Sequence, residues 1–413
     1  MKSLTGKAFT DGMANKVEAK NIFKIFGSEP DRVFEMVSKG HSKADIHAET
    51  GQTIGVNDAS FEVAEGEVFV VMGLSGSGKS TLVRMINGLI PPTSGQMMID
   101  GIDVASCSAE TLRKVRREKV AMVFQHFALF PHKTVVDNVA YGLKVKGLPA
   151  AERRERSLKA LAQVGLEAYA DSYPEELSGG MQQRVGLARG LATEPEILLM
   201  DEPFGALDPL IRRDMQLELL ELQRSLKKTI IFITHDLNEA LILGDKIAIM
   251  KDGSFVQVGT AEEIVGEPAD DYVRAFTQDI DRSRVFEVAA IARPPLSIEI
   301  DAPVSDALAR MEAENVDAMF VTDRGRLRGQ VLYRGLSGAS NPGGLAQHLD
   351  LHFETVTPDA HLHELYGKAA AGRPIAVMDA TGAFIGIVEP GDIFHQLVRG
   401  EEHESGPKRA VTA

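Results

Sequence analysis

The sequence has a single cysteine and lacks any long run of apolar residues. Because Cys107 cannot form an internal disulfide, the composition indicates a reducing, cytoplasmic setting. No stretch approaches the roughly 18 apolar residues that a membrane-spanning helix needs, so we expect any membrane role to come through a partner chain. The opening residues, MKSLTGKAFTDGMANK, have no apolar core of the signal-peptide type, and nothing in them predicts export.

Positive charge is also in short supply. There are 45 Lys and Arg residues against 59 Asp and Glu residues, which gives a formal net charge of −14. A protein whose main partner is nucleic acid needs a basic face, so this balance argues against such a partner. The length of 413 residues, with 44% hydrophobic residues, instead predicts a globular protein of two or three domains.

The most informative segment is VFVVMGLSGSGKST, in which an apolar, β-branched run leads into a glycine-rich loop. Such a loop turns its backbone N–H groups towards phosphate oxygens. Lys79 would reach the β- and γ-phosphates, and the Ser80 hydroxyl would hold Mg²⁺. The alternative, a chance glycine turn, is disfavoured by the spacing. The predicted ATP-binding residues are Gly73, Leu74, Ser75, Gly76, Ser77, Gly78, Lys79, Ser80 and Thr81.

Three further apolar runs end in residues that suit phosphate chemistry. Lys119 to Phe124 leads to Gln125, Glu196 to Met200 leads to Asp201, and Thr229 to Thr234 leads to His235. Alternation of such runs with helical patterns from about 21 to 253 predicts an α/β fold with a mostly parallel sheet. Ligands in these folds bind beyond the carboxyl ends of the strands, so we expect the terminal residues to converge. Between 125 and 177 the pattern predicts a small helical insert.

The adjacent pair Asp201 and Glu202 can divide the catalytic work, since neighbouring side chains at a strand end point in different directions. Asp201 would hold Mg²⁺, and Glu202 would polarise the attacking water. A solvated acidic turn is the alternative. LSGGMQQR, from 177 to 184, predicts a helix whose exposed amino terminus attracts anions, although Ser178 could also serve only as a structural N-cap.

The motifs and their order resemble those of the ABC-type ATPases, and the resemblance covers nearly the whole first domain. It implies a P-loop NTPase fold with a RecA-like core and a helical subdomain, and a homodimer that closes on ATP. Gln125 would sense Mg²⁺ and water, His235 would contact the γ-phosphate, and Asp208 would lie at the dimer seam. The signature residues that would complete the partner's site are Ser178, Gly179, Gly180 and Met181.

The sequence offers two candidates for the aromatic residue that stacks on adenine. Phe26 matches the residue that stacks on adenine in many members of this family, with Phe23 as a rival, and either could belong to the core. The gap from Phe26 to Gly73 is longer than compact relatives show. The excess, around DRVFEMVSKGHSKADIHAETG, predicts a helical insertion whose function the sequence does not give.

From about Asp281 the chain contains two short copies of one unit. GRLRGQV parallels GAFIGIV, and each follows an apolar strand that ends in aspartate. These copies resemble a tandem pair of CBS domains, an α+β regulatory module. We therefore expect an ABC ATPase domain over 1–280 with its helical subdomain at about 126–180, a CBS module over 281–400 with repeats at about 281–340 and 345–400, and a polar tail over 401–413.

Met181 in the signature, the phosphate-loop segment and the tandem repeats together resemble the ATP-binding subunit of glycine betaine/proline importers, including the related choline importers. The resemblance implies ATP hydrolysis that drives import through integral membrane permease subunits, with a substrate-binding protein as an indirect partner. The chain would lie peripherally on the cytoplasmic face of the inner membrane. Phe127, Leu129 and Phe130 could line the groove for the permease, or could belong to the helical core. The alternative function is a nucleotide-driven switch or soluble ABC ATPase that moves no solute.

The role of the repeats stays open between two hypotheses. Nucleotide-binding CBS domains have a hydroxyl three residues before an aspartate, but here Glu389 stands at that position before Asp392, which disfavours a phosphate ligand. Ionic-strength sensing at anionic lipid is the second hypothesis, and it depends on a local basic patch in an acidic tail. The candidate patch comprises Arg324, Arg326, Arg328 and Arg334. The tail histidines, which we expect to be surface residues rather than metal ligands, are His348, His352, His361 and His363.

Overall fold

A computed structural model describes residues 15–125, 127–338 and 344–398. These residues form two compact units that divide between Ile280 and Asp281, and each unit is described separately below. The predicted polar tail at 401–413 and the linker residues 339–343 lie outside the described residues.

The strands of the described residues, in chain order, are β1 (Asn15–Phe26), β2 (Thr53–Ala64), β3 (Val68–Met72), β4 (Ser94–Ile99), β5 (Ile102–Asp103), β6 (Val120–Val123), β7 (Ile197–Asp201), β8 (Thr229–Thr234), β9 (Lys246–Lys251), β10 (Ser254–Gly259), β11 (Ser297–Glu299), β12 (Ala318–Asp323), β13 (Arg326–Leu332), β14 (Thr355–Val356), β15 (Ile375–Met378) and β16 (Phe384–Val388).

The α-helices of the same residues are α1 (Pro30–Ser38), α2 (Lys43–Thr50), α3 (Lys79–Ile86), α4 (Ala109–Glu118), α5 (Val135–Val139), α6 (Tyr141–Val145), α7 (Ala150–Gln163), α8 (Gly179–Leu191), α9 (Pro209–Leu226), α10 (Leu237–Leu243), α11 (Ala261–Gly266), α12 (Asp271–Thr277), α13 (Val304–Glu314), α14 (Tyr333–Ser337), α15 (Tyr366–Ala369) and α16 (Pro390–Val398).

The first unit is built on a six-stranded sheet in the order β10-β9-β3-β8-β7-β6. Its strands are parallel except for β10, which pairs antiparallel with β9. Alternate residues of β3 enter different cores, Val70 on one face and Val71 on the other. Because both faces are covered, these strands are almost continuously apolar, as expected of a parallel sheet.

A second, antiparallel sheet in the order β2-β1-β4-β5 packs against one face of the six-stranded sheet. The insertion between β1 and β2 forms the helices α1 and α2, as the sequence predicts. Val33, Met36 and Ile46 from these helices pack with Ile25 and Ile54 in a small core of their own. Ser42 starts α2 with a capping box, in which its hydroxyl and the Asp45 carboxylate each accept a backbone N–H.

Helices α5 to α7 follow the end of β6 within the segment 126–180, where the sequence predicts a helical subdomain, and α8 begins at the end of that segment. Leu143, Leu161 and Val185 come from three of these helices, and all are fully buried in the larger core. Phe127 and Leu129 pack against this same core. Phe130 instead packs on Tyr141, with ring centroids 4.8 Å apart.

The C-terminal unit contains two three-stranded sheets with the same pattern, β11-β12-β13 and β14-β15-β16. In each sheet a short first strand runs parallel to the second, and the second forms an antiparallel hairpin with the third. Phe320 of β12 packs with Ala376 and Ile387 from the other sheet, so the two copies share a core. The copies that are visible in the sequence thus correspond to two repeats of one supersecondary unit.

Candidate nucleotide-binding site

The loop between β3 and α3 requires glycine at both ends. Gly73 has φ +152° and Gly78 has φ +112°, conformations that side chains disfavour. A Cβ atom at Gly73 would lie 2.2 Å from the Met250 carbonyl oxygen, and one at Gly78 would lie 2.3 Å from the Gly55 carbonyl oxygen. The loop is therefore held against two neighbouring backbone segments.

Lys79, the first residue of α3, lies under this loop and is 5% exposed. Its Nζ donates to the carbonyl oxygens of Gly73 at 2.7 Å and Leu74 at 3.1 Å. Burial lowers the pKa of Lys79, while the nearby Glu202 and Asp201 carboxylates oppose this effect. A buried ammonium group at the amino terminus of a helix creates a strongly positive site that suits phosphate.

The end of β7 faces the start of α3. The Ser80 Oγ lies 3.5 Å from the Asp201 Oδ1, so a hydroxyl and a carboxylate oxygen face one another. Burial raises the pKa of Asp201, and the charge of Glu202 raises it further. This destabilised carboxylate would gain from a cation, and oxygen ligands of this kind suit Mg²⁺.

The Glu202 side chain contacts residues that follow the ends of other strands. Its Oε2 lies 3.1 Å from the His235 Nδ1 and accepts a long hydrogen bond of 3.4 Å from the Gln125 Nε2, while its Oε1 lies 3.9 Å from the Lys79 Nζ. The backbone of Glu202 is left-handed, with φ +45°. Such strain in a residue other than glycine is typical of functional sites, and here it turns the side chain towards the other strand ends.

The signature segment forms the amino terminus of α8. Ser178 is its N-cap, and the hydroxyl accepts a hydrogen bond of 3.4 Å from the Met181 N–H. Gly179 is exposed. A Cβ atom at Gly180 would lie 2.6 Å from the Ile211 Cγ2 of α9. Glycine at 180 is thus required by helix packing, whatever else it does.

Asp208 is the N-cap of α9, and its Oδ1 accepts hydrogen bonds from the Leu210 and Ile211 N–H groups at 3.2 and 3.1 Å. This is a complete structural role for Asp208 within one chain. Its predicted position at a dimer seam stays a prediction.

The two aromatic candidates for adenine stacking differ in their surroundings. Phe23 packs edge-on against Phe34 of the insertion, with centroids 5.2 Å apart. Phe26 is 42% exposed and lies beside the start of α3, because a Cβ atom at Gly55 would lie 2.7 Å from the Phe26 ring and 3.1 Å from the Thr81 Cγ2. Phe26, and not Phe23, is therefore the exposed ring near the loop, and the Lys24 Nζ lies 5.3 Å from its ring centroid.

Arg189 of α8 is a site residue that the sequence reasoning missed. Its Nη1 and Nη2 donate to the carbonyl oxygens of Ala128 and Phe127 at 2.6 and 2.7 Å, and both of these residues have positive φ. Burial lowers the pKa of Arg189. A single guanidinium thus joins α8 to the segment that follows Gln125. In the sequence, the only indication of this contact is the position of Arg189 in the last turn of a predicted helix.

In the C-terminal unit the acid at the predicted ligand position already has partners. Asp392 forms a close ion pair with Arg293, and its Oδ2 accepts a hydrogen bond from the Glu389 N–H at 3.0 Å. The other guanidinium nitrogen, Arg293 Nη1, lies 3.5 Å from the Glu389 Oε2. The Glu389 carboxylate thus belongs to one ion-pair cluster with Arg293 and Asp392.

One arginine of the candidate basic patch already pairs with an acidic residue. Arg324, Arg326, Arg328 and Arg334 are all exposed. Arg328, however, donates to the Asp323 Oδ2 at 3.1 and 2.6 Å through two nitrogens. In residues 15–125, 127–338 and 344–398, no group of three or more His, Cys, Asp or Glu side chains is placed to hold a metal ion. The four tail histidines therefore form no such group within these residues.

The first unit has the architecture of an ATP-binding P-loop protein. Residues 56–205 match the family model of the ABC transporter, and residues 285–340 match that of the CBS domain. A solved dimeric structure of a bacterial ABC transporter cassette is 34% identical with a TM-score of 0.50, over 59% of this chain and 98% of that chain. The cbiO1 protein from Clostridium perfringens is 27% identical with a TM-score of 0.52, over 65% of this chain and 96% of that chain.

Similarity to known proteins extends over nearly the whole chain. The glycine betaine/proline betaine transport system ATP-binding protein ProV of Salmonella typhimurium is 50% identical over 94% of this chain and 98% of its own length. The glycine betaine transport ATP-binding protein OpuAA of Bacillus subtilis is 46% identical over 94% of both chains. The chain therefore belongs to the family of ATP-binding subunits of ABC transporters, with a C-terminal CBS module.

Proposed function

We propose that this chain is the ATP-hydrolysing subunit of an importer for glycine betaine, proline betaine or choline-type osmolytes. The names of its relatives support the substrate class, since proteins about half identical over nearly their full length serve glycine betaine transport. The choline transport ATP-binding protein OpuBA of Bacillus subtilis is 37% identical over 84% of this chain. The observation that carries the enzymatic part is the meeting of Lys79, Gln125 and His235 around the Glu202 carboxylate.

The residues of this site fit a nucleoside triphosphate. Gly73 and Gly78 hold the loop in a shape that no side chain at these positions could share. Inside the loop the Ser77 Oγ is buried and has no hydrogen-bond partner. Lys79 would neutralise the terminal phosphates, and the loop N–H groups would bind their oxygens. Phe26 would stack on the adenine through its exposed ring face.

Mg²⁺ also fits the oxygen atoms that the fold brings together. Ser80, Gln125 and Asp201 would hold the ion, directly or through water. When bound, ATP supplies the phosphoanhydride bond and Mg²⁺ neutralises charge on its phosphates. Burial raises the pKa of Asp201 because it disfavours the charged carboxylate, and a bound cation would offset this cost.

Within this arrangement Glu202 would orient the attacking water and accept its proton. Its carboxylate is held on one oxygen by the His235 and Gln125 side chains and faces Lys79 with the other. His235 would keep Glu202 in place and contact the γ-phosphate. Three strands thus supply the groups that a hydrolytic site needs at one edge of the sheet.

We propose further that two copies work together. The amino terminus of α8, where Ser178 and Gly179 are exposed and Gly180 and Met181 follow, would close over the nucleotide of the other protomer, with Asp208 at the seam. A helix amino terminus favours an anion, which supports this placement. The dimeric state of the similar bacterial cassette also supports it.

In residues 15–125, 127–338 and 344–398 no helix is long and apolar enough to cross a bilayer. We propose peripheral association with permease subunits on the cytoplasmic face of the inner membrane, with a substrate-binding protein as indirect partner. Phe124 and Tyr141 are 39% and 43% exposed beside the segment that follows Gln125. They are the apolar surface best placed for a coupling contact, because Phe127 and Leu129 pack against the core.

The test is reconstitution of the full chain with its permease subunits and binding protein in vesicles that contain MgATP. Uptake of glycine betaine, proline betaine, choline and proline would be measured separately. We expect ATP-dependent uptake of at least one quaternary amine, and none in vesicles with the Glu202→Gln subunit. ATP hydrolysis without uptake of any of the four would overturn the importer in favour of an ATPase that moves no solute.

A further inference from the structure

One arginine contacts two loops of the proposed site at once. Arg212 lies in the first turn of α9, just after the Asp208 loop. Its Nη2 donates to the Leu207 carbonyl oxygen at 3.2 Å, and its Nη1 lies 3.4 Å from the Asp236 Oδ2. Leu207 precedes Asp208 at the proposed dimer seam, and Asp236 follows His235. The guanidinium is thus placed between the seam and the turn that carries the histidine.

Behind this arginine lies a buried carboxylate. Glu239 of α10 is 3% exposed, and its Oε1 lies 3.8 Å from the Arg212 Nε. The same oxygen accepts a hydrogen bond from the Gln216 Nε2 of α9 at 3.3 Å. Burial raises the pKa of Glu239. The Arg212 Nε is itself buried and has no hydrogen-bond partner, so its approach to Glu239 at 3.8 Å is an ion pair without a direct hydrogen bond.

The other oxygen of Glu239 fixes the histidine turn. Its Oε2 accepts a hydrogen bond of 2.6 Å from the Thr234 Oγ1. That hydroxyl oxygen accepts the Asp236 N–H at 3.0 Å, which closes the backbone around His235. The position of the histidine therefore depends on a chain of contacts that leads through Glu239 to α9.

We propose that Arg212 and Glu239 are positioning residues that transmit the state of the Asp208 loop to His235. Separating Arg212 from Glu239 would leave the buried carboxylate with only its hydrogen bonds from Gln216 and Thr234, so α9 and the histidine turn should move together. Engagement of the Asp208 loop by a second copy would then set the contact between His235 and Glu202. The inference rests on the proposed roles of His235 and Glu202, and it adds the route by which one protomer governs hydrolysis in the other.

The primary test is Arg212→Met in the full chain, with kcat and KM for MgATP and the affinity for ATP measured separately. We expect kcat to fall about tenfold or more, which equals about 1.4 kcal/mol in the barrier, while ATP affinity stays within about twofold of wild type because Arg212 touches no group of the phosphate loop. The matched control is Arg213→Met, an exposed arginine on the same turn of α9, which should leave both constants unchanged. An unchanged kcat for Arg212→Met would overturn the proposal.

A double-mutant cycle separates positioning from general damage. If Arg212 acts through His235, Arg212→Met should lower the single-turnover rate little further in a His235→Ala background. Effects that simply multiply would overturn the proposal. The Arg212→Met, Glu239→Gln double variant removes both charges, so it should recover thermal stability while kcat stays low. Recovery of kcat together with stability would show a purely structural role and would also overturn it.

The proposed function fails on different evidence. If Glu202→Gln and His235→Ala both hydrolysed ATP at the wild-type rate, the assignment of the site itself would be wrong, whatever the Arg212 variants do.

Discussion

The two units of this chain both place acidic side chains at or just after the ends of buried strands, but the surroundings of those acids differ. At Asp201 and Glu202 the neighbouring groups are held by strained backbone and glycine geometry, and the buried Ser77 Oγ of the adjacent loop has no hydrogen-bond partner. At Asp392 and Asp323 the acids are paired with Arg293 and Arg328 within the unit. Polar groups that the fold fixes without satisfying them indicate a ligand site, whereas groups that satisfy one another indicate structure.

The first way to test this contrast is Glu202→Gln. The substitution keeps the side-chain shape and removes the group that would accept a proton, so we expect ATP binding to persist and turnover to fall by at least about 100-fold. The closed dimer should accumulate, which size-exclusion chromatography with ATP would detect.

The matched control is Glu221→Gln, at an exposed position on α9, which should turn over ATP at the wild-type rate. Rapid hydrolysis by the Glu202→Gln variant would refute the role of Glu202.

The second test is Arg293→Ala in the C-terminal unit, where the opposite pattern is expected. Asp392, whose side chain is 10% exposed, would keep only its hydrogen bond from the Glu389 N–H. Loss of the half-exposed guanidinium should destabilise this unit by about 1 kcal/mol. ATP hydrolysis by the isolated chain should change little, since the substitution lies outside the first unit.

Calorimetry of the full chain would measure the loss, with Arg284→Ala as control. Arg284 and Asp281 form an exposed pair, at 63% and 55%, so its removal should cost less than about 0.5 kcal/mol. Equal losses of stability from the two substitutions would contradict the stabilising role of Arg293.

The third test is a gain of stability from Asp201→Asn. Because burial raises the pKa of Asp201 above its ordinary 3.8, the charged carboxylate destabilises the folded protein above that pKa. The nucleotide-free variant should therefore be more stable than wild type at pH 7, by about 1 kcal/mol. The wild type recovers this loss as the pH falls from its raised pKa towards 3.8, and below 3.8 the carboxyl is protonated in both states.

Thermal denaturation of the nucleotide-free chains from pH 8 to pH 4 would measure the difference, which should shrink towards the acid end. Asp214→Asn, exposed on α9, should show no such trend. A less stable Asp201→Asn variant at pH 7 would mean that attraction to Lys79 outweighs burial.

Much of the fold was predictable because its signals are local. The apolar runs before Lys79, Asp201 and His235 are strands that the structure places side by side, and the ABC ATPase fold is confirmed. The insertion helices and the two C-terminal hairpins also follow from short patterns. By contrast, nothing local distinguishes Arg189 or Arg212 from the other arginines of their helices, because most of their partners are carbonyl groups and carboxylates on distant segments.

The sequence by itself determined the chemistry that the chain can offer. A glycine loop followed by Lys79 and Ser80, and acids after an apolar strand, specify phosphate binding through backbone conformation and charge alone. The tertiary structure decided which groups act on one another. Parallel strands bring their carboxyl ends to one edge, so Glu202 meets Gln125 and His235 from other strands. Burial then decided which acids are destabilised and which, like Asp392, are already neutralised by a neighbour.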